Sequence, residues 1–404
     1  MVDTVKILYH HRTASRTGEF VHIEELIAAL RRLGHEVIEV GPKAAPSAAL
    51  GATKGSVALM KRLLPRFFYE LLEFSYSFWA FFRLFAAWRK HRPDILYERY
   101  NLFCPAGVWL RRLVGLPMLL EVNAPLLEER SQYGGVALPK LAGWSERTTW
   151  RGANRVLPVT EVLAATVRRA GVAGDRITVI PNGINRQRFD RPVDRDGVRR
   201  RLGVSEALVL GFTGFLREWH GLEAAIEVLA RSGNGRLVLV LVGDGPHRLE
   251  LEANAQRLGV RDRVIVTGFV ERDAIADHVA AFDIALQPAV IAHASPLKLF
   301  EYLALARPVV APKTANIEEI VTDGVSALLF PPGDDAAFAE RIDRLCRDEA
   351  LRHRIGEAGR RLIEERDLTW DGNARRITAL AEVLLGVSGH GSGLLLSDEE
   401  AATS

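Results

Sequence analysis

Short runs of valine, isoleucine and leucine alternate along the chain with longer segments in which apolar residues recur at helical spacing. This alternation is typical of parallel β-sheets covered by helices on both faces. The runs of the first half predict strands at Val5–Tyr9, Glu36–Val40, Asp94–Glu98, Met118–Val122, Arg155–Val159 and Thr178–Ile180. Those of the second half predict strands at Ala207–Phe212, Arg236–Val242, Val264–Thr267, Ile284–Gln287, Pro308–Val310 and Ala327–Leu329.

The repetition of this pattern predicts two α/β domains, each doubly wound and Rossmann-like, in a chain of 404 residues. We place the N-terminal domain at residues 1–190, the C-terminal domain at 191–369 and a last helix at 370–386. Between the domains, the polar and charged segment 186–201 is predicted to be an exposed connection. Residues 387–404 are rich in glycine and serine and then acidic, which predicts a disordered tail.

One segment departs from the alternation, since eleven of the twenty-two residues from Phe67 to Trp88 are aromatic. A helix spanning a bilayer there would bury Glu70, Glu73 and Arg83, each at a cost of roughly 2 to 3.5 kcal/mol near the bilayer centre. We therefore exclude a span. Two interpretations stay open: an interfacial helix with basic ends at anionic lipid, and ordinary packing on the first domain. The basic residues that flank the segment are Lys61, Arg62, Arg66, Arg89, Lys90 and Arg92.

Charge is distributed unevenly along the chain. Residues 1–190 contain 27 Lys/Arg and 17 Asp/Glu, a net +10, and residues 191–404 contain 26 and 33, a net −7. A basic half suits an anionic partner such as a lipid surface or a phosphorylated acceptor, although solvated arginine faces would give the same count. No basic cluster interleaved with aromatic residues indicates nucleic-acid binding. With two cysteines and no secretory pattern at the start, the cytoplasm is expected, with peripheral association at the inner face of the cell membrane.

Three segments of the second half carry residues suited to phosphate. In Ser295–Pro312 a Ser-Pro start opens a helix whose free N–H groups suit a diphosphate, Lys298 adds a cation, and Glu301 could accept hydrogen bonds from ribose. In Gly211–Gly221 a glycine loop follows a strand, with Arg217 as a bidentate partner for phosphate and His220 as a protonated or neutral donor. The third segment is the buried strand Arg236–Val242, followed by a turn with Gly243 and Gly245.

These segments, in this order, resemble family 4 of the retaining nucleotide-sugar glycosyltransferases, which have the GT-B architecture of two Rossmann-like domains facing a cleft. The resemblance covers roughly residues 5–385. In the first half it rests on Gly18, Val21-His22, Leu30, Gly34–Val37 and Pro181–Asn185; in the second half on Gly243–Pro246, Leu249, Leu258-Gly259, Val264, Thr267–Val270, Phe282–Ile284 and Ser295–Ala304.

The resemblance implies a donor held mainly by the second domain, with its diphosphate at Arg217 and Lys298 and its ribose on Glu301. Val270 would border the base, and Gly18 would approach the donor from the first domain. The last helix, from Trp370, would cross back to the first domain. Other implied donor-binding residues are Gly214, His220, Gly243, Gly245, Ser295, Pro296 and Leu297.

Three positions depart from the family pattern. His293 stands where the first glutamate of an E-x7-E pair normally touches the donor sugar, so the sugar stays open. His220 replaces a loop lysine, which shifts phosphate charge onto Arg217. Asn123 replaces a histidine after the fourth strand and, since asparagine cannot act as a general base, is given a role in orienting acceptor or sugar. Asp194-Arg195-Asp196 has a D-x-D form but falls in the charged segment, and no metal or cofactor is implied.

The expected function is retaining transfer of a hexose-type sugar from a UDP- or GDP-linked donor. The acceptor would be a glycan, a lipid-linked molecule or a small molecule, as in polysaccharide or glycoconjugate synthesis. A nucleotide-sugar epimerase of the same architecture and a non-catalytic membrane-binding module stay open as alternatives. A dinucleotide-dependent oxidoreductase is disfavoured, because no G-x-G-x-x-G follows the first strand.

Overall fold

The structure, a computed structural model, describes residues 4–13, 18–42 and 65–386, which form two compact units. The first contains the described residues up to 158 together with 166–178 and 374–386, and the second contains 159–165 and 179–373. Each unit has one parallel sheet with helices between its strands, so the predicted α/β class is confirmed. The predicted tail at 387–404 lies outside the described residues.

The first sheet has five parallel strands in the order β2-β1-β3-β4-β5. Five predicted strands are confirmed within a residue or so at their ends. The sixth prediction, Thr178–Ile180, is wrong, since only Ile177 forms an isolated bridge, to Val156. Pro181 follows at once and has no N–H to offer a ladder. The strands are β1 Lys6–His10, β2 Glu36–Val40, β3 Ile95–Arg99, β4 Met118–Val122 and β5 Arg155–Pro158.

Helices of the first unit lie between these strands and at the end of the chain. The first of them ends before Gly34, whose φ of 92° is the left-handed conformation that glycine tolerates at a helix end. The helices are α1 Gly18–Arg32, α2 Arg66–His91, α3 Ala106–Val114, α4 Leu126–Tyr133, α5 Pro139–Gly152 and α6 Glu161–Arg169, whose first residues belong to the second unit. In the part of the chain that the structure describes, no helix combines the length and apolarity needed to cross a bilayer.

The second sheet has six parallel strands in the order β11-β10-β9-β6-β7-β8, and all six predictions for this half are confirmed. Side chains alternate between two apolar cores, one on each face. Leu239 and Leu241 of β7 enter one core, whereas Val240 and Val242 enter the other. The strands are β6 Leu208–Thr213, β7 Leu237–Val242, β8 Val264–Val266, β9 Ile284–Leu286, β10 Val309–Pro312 and β11 Leu328–Phe330.

Helices cover both faces of the second sheet, as a fully apolar set of strands requires. They are α7 Arg186–Phe189, α8 Arg195–Arg201, α9 Leu222–Arg231, α10 Arg248–Arg257, α11 Ile275–Ala280, α12 Leu297–Ala304, α13 Ala315–Glu318, α14 Asp335–Arg347, α15 Glu349–Glu365 and α16 Trp370–Leu385. Along α16, residues up to 373 belong to the second unit and those from 374 belong to the first.

The segment 186–201 is not the exposed connection that its polarity predicts. It forms α7 and α8 and packs on the second unit, where Arg199 is buried and pairs with Asp283 at 3.0 Å. Asp194 of the D-x-D sequence caps α8, because its side chain accepts the backbone N–H of Gly197 at 2.9 Å. The prediction was wrong because these polar side chains find partners about 80 residues away in sequence.

Candidate active site

The order of the second sheet marks one point at its carboxyl edge. The chain enters at β6, continues to β7 and β8 on one side, and then moves to β9, β10 and β11 on the other. β6 and β9 are neighbours, but the chain leaves them toward opposite sides of the sheet. The loops that follow these two strands therefore run apart and leave a crevice between them. The segments Gly211–Gly221 and Ser295–Pro312, singled out by sequence, supply these two loops and the helices that follow them.

The loops after β6 and β7 are joined through their backbones. Gly214 donates to the carbonyl of Val242 at 3.0 Å, and Leu216 donates to that of Asp244 at 2.9 Å. A Cβ on Gly243 would lie 2.1 Å from the carbonyl oxygen of Gly214, and one on Gly245 would lie 2.2 Å from that of Leu216. Only glycine fits at either position, so these residues hold the shape of the loop that carries Arg217.

Lys298, in the first turn of α12, reaches this loop. Its Nζ lies 3.4 Å from His220 Nε2 and 4.2 Å from the centre of the Phe212 ring. A Cβ on Gly214 would lie 3.3 Å from the same Nζ. Burial lowers the pKa of Lys298 to about 8, against the opposing effect of Glu301. The site thus holds an ammonium group that a bound anion would stabilise in its charged form.

The sequence allowed His220 to be a protonated or a neutral hydrogen-bond donor. In the unliganded site it is neutral. Burial, and then the nearby charges of Lys298 and Arg217, lower the pKa of His220 to about 3. The imidazole is therefore uncharged at neutral pH in the unliganded site. Its Nδ1 accepts the backbone N–H of Arg217 at 3.4 Å.

Arg217 lies between two exposed aromatic rings of its own loop. Its guanidinium carbon is 4.7 Å from the centre of the Phe215 ring and 4.7 Å from the centre of the Trp219 ring. Stacking on two rings restricts the guanidinium while its N–H groups stay available to an anion. The guanidinium of Arg217, which helps to lower the pKa of His220, is in this way positioned by residues on either side of it in sequence.

Glu301, one turn after Lys298 on α12, is half-buried at the same edge. Burial raises its pKa from the ordinary 4.5 to about 7, although Lys298, Arg272 and a hydrogen bond with Thr213 act in the opposite direction. Thr213 is itself fixed, because its backbone N–H donates to the Tyr302 hydroxyl at 2.8 Å. The end of β6 and the first turns of α12 thereby hold this carboxyl group in place.

The helix α12 begins after Pro296 without a side chain that caps its first turn. The first N–H groups of such a helix have no partner within it, and together with the helix dipole they favour an anion. Ser295, the predicted donor-binding residue before Pro296, is committed elsewhere: its Oγ accepts the backbone N–H of Asn182 at 3.0 Å, and its carbonyl accepts Asn182 Nδ2 at 2.6 Å. Its hydroxyl hydrogen remains available to a ligand.

Three polar side chains fix the loop between β9 and α12. Besides Asn182, Thr160 Oγ1 donates to the carbonyl of His293 at 3.0 Å. Asn316 Nδ2 donates to the carbonyls of Ile291 and Ala294, at 3.1 and 2.7 Å. The backbone of His293 is therefore held in place by the side chain of Thr160.

In the first unit, Glu121 at the end of β4 is the centre of a buried polar cluster. It accepts hydrogen bonds from Tyr97 and Arg99, at 2.6 and 2.5 Å, and lies 2.9 Å from His22 Nε2. Asn123 Nδ2 donates to the same carboxylate at 2.5 Å. Burial acts to raise the pKa of Glu121, but His22 and Arg99 outweigh it and hold the pKa well below its ordinary range.

Comparison with known families decides the class. Residues 194–362 match the family described as Glycosyl transferases group 1, and residues 17–188 match the one described as Glycosyltransferase Family 4. The chain belongs to the group 1/family 4 glycosyltransferases. This membership favours the transferase over the epimerase and the membrane-binding module that the sequence left open.

Two relatives and one solved structure illustrate how far the likeness goes. The chain is 26% identical to an alpha-D-kanosaminyltransferase of Streptomyces kanamyceticus over 61% of this chain and 66% of that protein. It is 32% identical to a D-inositol 3-phosphate glycosyltransferase of Xylanimonas cellulosilytica over 54% and 56%. The crystal structure of Anabaena HepE in complex with UDP superposes with a TM-score of 0.72 at 19% identity, over 94% of this chain and 100% of that one, which shows the GT-B fold.

For this glycosyltransferase, the structure brings most of the predicted donor residues to one edge of the second sheet. Arg217, His220 and Lys298 form one cluster, and Glu301 lies one turn from it. Val270, in the loop that follows β8, packs partly buried against the core of the same unit. Gly18, the first residue of α1, and Asn123 belong to the other unit.

Sequence reasoning missed several residues that support this edge. Thr213 and Tyr302 were not singled out, although Thr213 follows a predicted strand directly and ends β6 beside the glycine loop. Thr160 and Asn316 fix the loop that contains His293. The sequence gives no signal for them, because they bond to backbone carbonyl groups, which every residue has. Within the described ranges, no group of three or more histidine, cysteine or acidic residues is arranged to hold a metal ion.

Proposed function

We propose that the protein is a retaining transferase that moves a hexose-type sugar from a UDP- or GDP-linked donor to a hydroxyl group of its acceptor. The observation that carries the proposal is the position of Lys298, in the first turn of an uncapped helix and 3.4 Å from His220 on the glycine loop. A diphosphate placed there would meet two cations and a set of backbone N–H groups. Anabaena HepE has also been solved with UDP-glucose, which supports a donor of this kind.

The proposed chemistry asks little of acid or base groups. The bond between the anomeric carbon and the diphosphate oxygen breaks, and a bond to the acceptor oxygen forms on the same face of the sugar. The acceptor proton passes to the departing diphosphate oxygen. Arg217 and Lys298 stabilise the negative charge that develops on the diphosphate, and Glu301 accepts hydrogen bonds from hydroxyl groups of the bound donor.

The acceptor is proposed more broadly, as a glycan, a lipid-linked molecule or a small polyhydroxylated molecule, in polysaccharide or glycoconjugate synthesis. The matched region spans 66% of the kanosaminyltransferase and 56% of the inositol phosphate glycosyltransferase. The first name describes transfer of a kanosaminyl group, and the second names inositol 3-phosphate, a molecule with free hydroxyl groups, which supports the class of reaction. Turnover of the donor in the absence of any acceptor would instead favour an epimerase.

Titration calorimetry with UDP, GDP and ADP tests the diphosphate site. We expect preference for UDP or GDP, and a loss in Arg217→Ala of about 10- to 100-fold in affinity, because charge-assisted hydrogen bonds contribute about 1.5–3 kcal/mol. Arg231→Ala is the matched control, since this exposed arginine ends α9 at the far side of the unit and pairs with Glu227. Equal affinity in both variants, or a preference for ADP, would contradict the proposal.

Nucleotide binding is also expected to take up a proton near pH 8. The pKa of Lys298 is about 8 in the unliganded site, and a diphosphate beside the amine favours its charged form and raises that pKa. The observed binding enthalpy at pH 8 should then change with the ionisation enthalpy of the buffer. In Lys298→Met this dependence should disappear, whereas its persistence would assign the proton to another group.

A further inference from the structure

The helix α2 exposes its apolar face. Seven of its large apolar side chains are exposed, from 45% for Phe67 to 65% for Phe82: Phe67, Phe68, Leu71, Leu72, Phe78, Trp79 and Phe82. At 3.6 residues per turn these positions fall within an arc of about 140°. An ordinary surface helix exposes a polar face, whereas α2 exposes an apolar arc in addition to the side that packs on the unit.

The opposite side of α2 packs inward and combines the polar Glu70 and Ser77 with the apolar Ala80 and Leu84. The carboxylate of Glu70 accepts the backbone N–H groups of Ala137 and Leu138, at 2.9 and 2.7 Å. Glu73 forms two hydrogen bonds with Arg130, at 2.7 and 2.6 Å. These contacts fix the rotation of the helix about its axis, because turning the aromatic residues inward would break all four hydrogen bonds.

The inward position of both glutamates also determines the charge of the outer face. Ser77 completes the inner side by donating to the carbonyl of Phe103 at 2.5 Å. On the outer side, the exposed charged residues of α2 are Arg89 and Lys90, near its C-terminal end. Arg66 lies a whole number of turns before the buried Leu84 and therefore on the inner side of the helix. The outer face is an aromatic and aliphatic surface with cations at its C-terminal end and no carboxylate.

Neighbouring helices extend this surface. Trp109 of α3 contacts Phe78 with ring centres 5.2 Å apart, and Phe74 contacts Trp144 of α5 at 6.0 Å. Trp144 and Leu113 are themselves exposed. Contiguous apolar surface of this extent marks a site of interaction.

We propose that the outer face of α2 lies in the headgroup region of an anionic lipid bilayer, with the helix parallel to the membrane plane. Aromatic rings are suited to the boundary between headgroups and acyl chains, and the terminal cations are suited to lipid phosphates. Packing of the segment from Phe67 to Trp88 on the first unit is confirmed by the contacts of Glu70, Glu73 and Ser77. The proposal assigns the opposite side of the same helix to lipid. Lys61 and Arg62, which the sequence placed beside this helix, lie outside the described residues.

A second copy of the chain is a poorer occupant of this face. In a two-fold dimer the same patch meets itself, whether the helices run parallel or antiparallel. Parallel packing places Arg89 and Lys90 beside the same two cations of the other copy, and antiparallel packing places them over apolar side chains such as Phe67 and Phe68. No carboxylate of the outer face is available to neutralise these contacts, whereas anionic lipid supplies the neutralising charge.

Vesicle co-sedimentation of the full chain tests the proposal. We expect binding to vesicles of phosphatidylcholine with 30% phosphatidylglycerol, weak binding to phosphatidylcholine alone, and weakening by salt. The variant Arg89→Gln/Lys90→Gln should lose about 30-fold in partition coefficient, at about 1 kcal/mol for each cation. The variant Phe78→Ser/Trp79→Ser/Phe82→Ser should lose binding to both kinds of vesicle.

Two control variants separate this face from general properties of the chain. Arg201→Gln/Arg231→Gln/Arg347→Gln removes three exposed cations of the second unit, and Leu249→Ser/Val325→Ser/Val383→Ser removes three exposed apolar side chains elsewhere. Both should bind as the unaltered protein does. Equal losses in control and test variants would overturn the proposal, as would an unaltered protein that stays in the supernatant. A dimer in size-exclusion chromatography that the serine variant dissociates would assign the face to a second copy.

The proposal does not depend on the donor chemistry. All substituted residues of α2 lie in the first unit, and nucleotide binding was assigned above to the second. The variants of α2 should therefore keep nucleotide affinity in calorimetry. Failure of vesicle binding would leave the transferase assignment intact, and failure of nucleotide binding would leave the membrane assignment intact.

Discussion

Replacing Glu301 by glutamine is expected to lower kcat/KM for sugar transfer by on the order of 100-fold or more while raising the stability of the fold at neutral pH. Activity falls because an amide is a weaker acceptor than a carboxylate for donor hydroxyl groups. Stability rises because burial raises the pKa of this carboxyl from 4.5 to about 7, so that folding opposes its ionisation. The carboxyl group of Glu301 therefore lowers the stability of the unliganded protein at neutral pH.

The pH dependence gives this prediction a sign that can be checked. Between pH 4.5 and about 7 the folded protein binds more protons at Glu301 than the unfolded chain, so the contribution of this residue to stability falls as pH rises through that window. Thermal melting of Glu301→Gln should therefore match the unaltered protein near pH 4.5 and exceed it at pH 8. The control is Glu318→Gln, an exposed carboxylate 3.8 Å from Lys313. A Glu301 variant that retains full activity would remove this residue from the site.

Replacing Glu121 by glutamine is expected to destabilise the first unit by about 3–5 kcal/mol, because it leaves the buried charge of Arg99 without a partner. At about 2–4 °C per kcal/mol, the melting temperature should fall by roughly 6–20 °C. Four hydrogen-bond donors surround the carboxylate of Glu121. The amide of a glutamine would direct its own N–H groups at one of these donors, where there is no acceptor. Differential scanning calorimetry, with far-UV circular dichroism to confirm the starting fold, measures the effect.

Acid should weaken the same cluster. Since the pKa of Glu121 is held below its ordinary range, the stability that it contributes is present above pH 4.5 and is lost as pH falls below that value. The difference in melting temperature between the unaltered protein and Glu121→Gln should therefore become smaller in acid. Glu36→Gln, which removes an exposed pair with Lys6 at 3.1 Å, should cost less than about 1 kcal/mol. Similar effects of the two substitutions would show that the cluster contributes no more than a surface ion pair.

The strands of this fold could be predicted because their periodicity is local. The run from Leu237 to Val242 is apolar at every position, as a strand covered on both faces must be, and the structure divides its side chains between two cores. Prediction failed where an element depends on distant partners. The segment 186–201 is polar in sequence, yet Val198 and Arg199 are buried against the second unit.

In the candidate site too, residues with a local sequence pattern could be predicted and residues that depend on distant partners could not. Arg217, Lys298 and Glu301 could be singled out because charged residues at glycine loops and helix starts have a recognised chemistry. The protonation of His220 could not be inferred, since its pKa depends on burial and on Lys298, 78 residues away in sequence. Tyr302 and Asn182 act through hydrogen bonds to the partners Thr213 and Ser295, and such contacts exist only in the folded chain.

The close backbone contacts at Gly243 and Gly245 bear on how this enzyme could be re-engineered. Any side chain at either position would collide with a carbonyl of the neighbouring loop, so mutant libraries that vary these two glycines would consist mainly of unfolded members. Phe269 projects from a loop at the same edge of the sheet and is exposed, which allows exchange without disturbing the scaffold. Exchange of Phe215 or Trp219 would also release the guanidinium of Arg217. Diversity in a directed-evolution experiment is therefore best begun at Phe269.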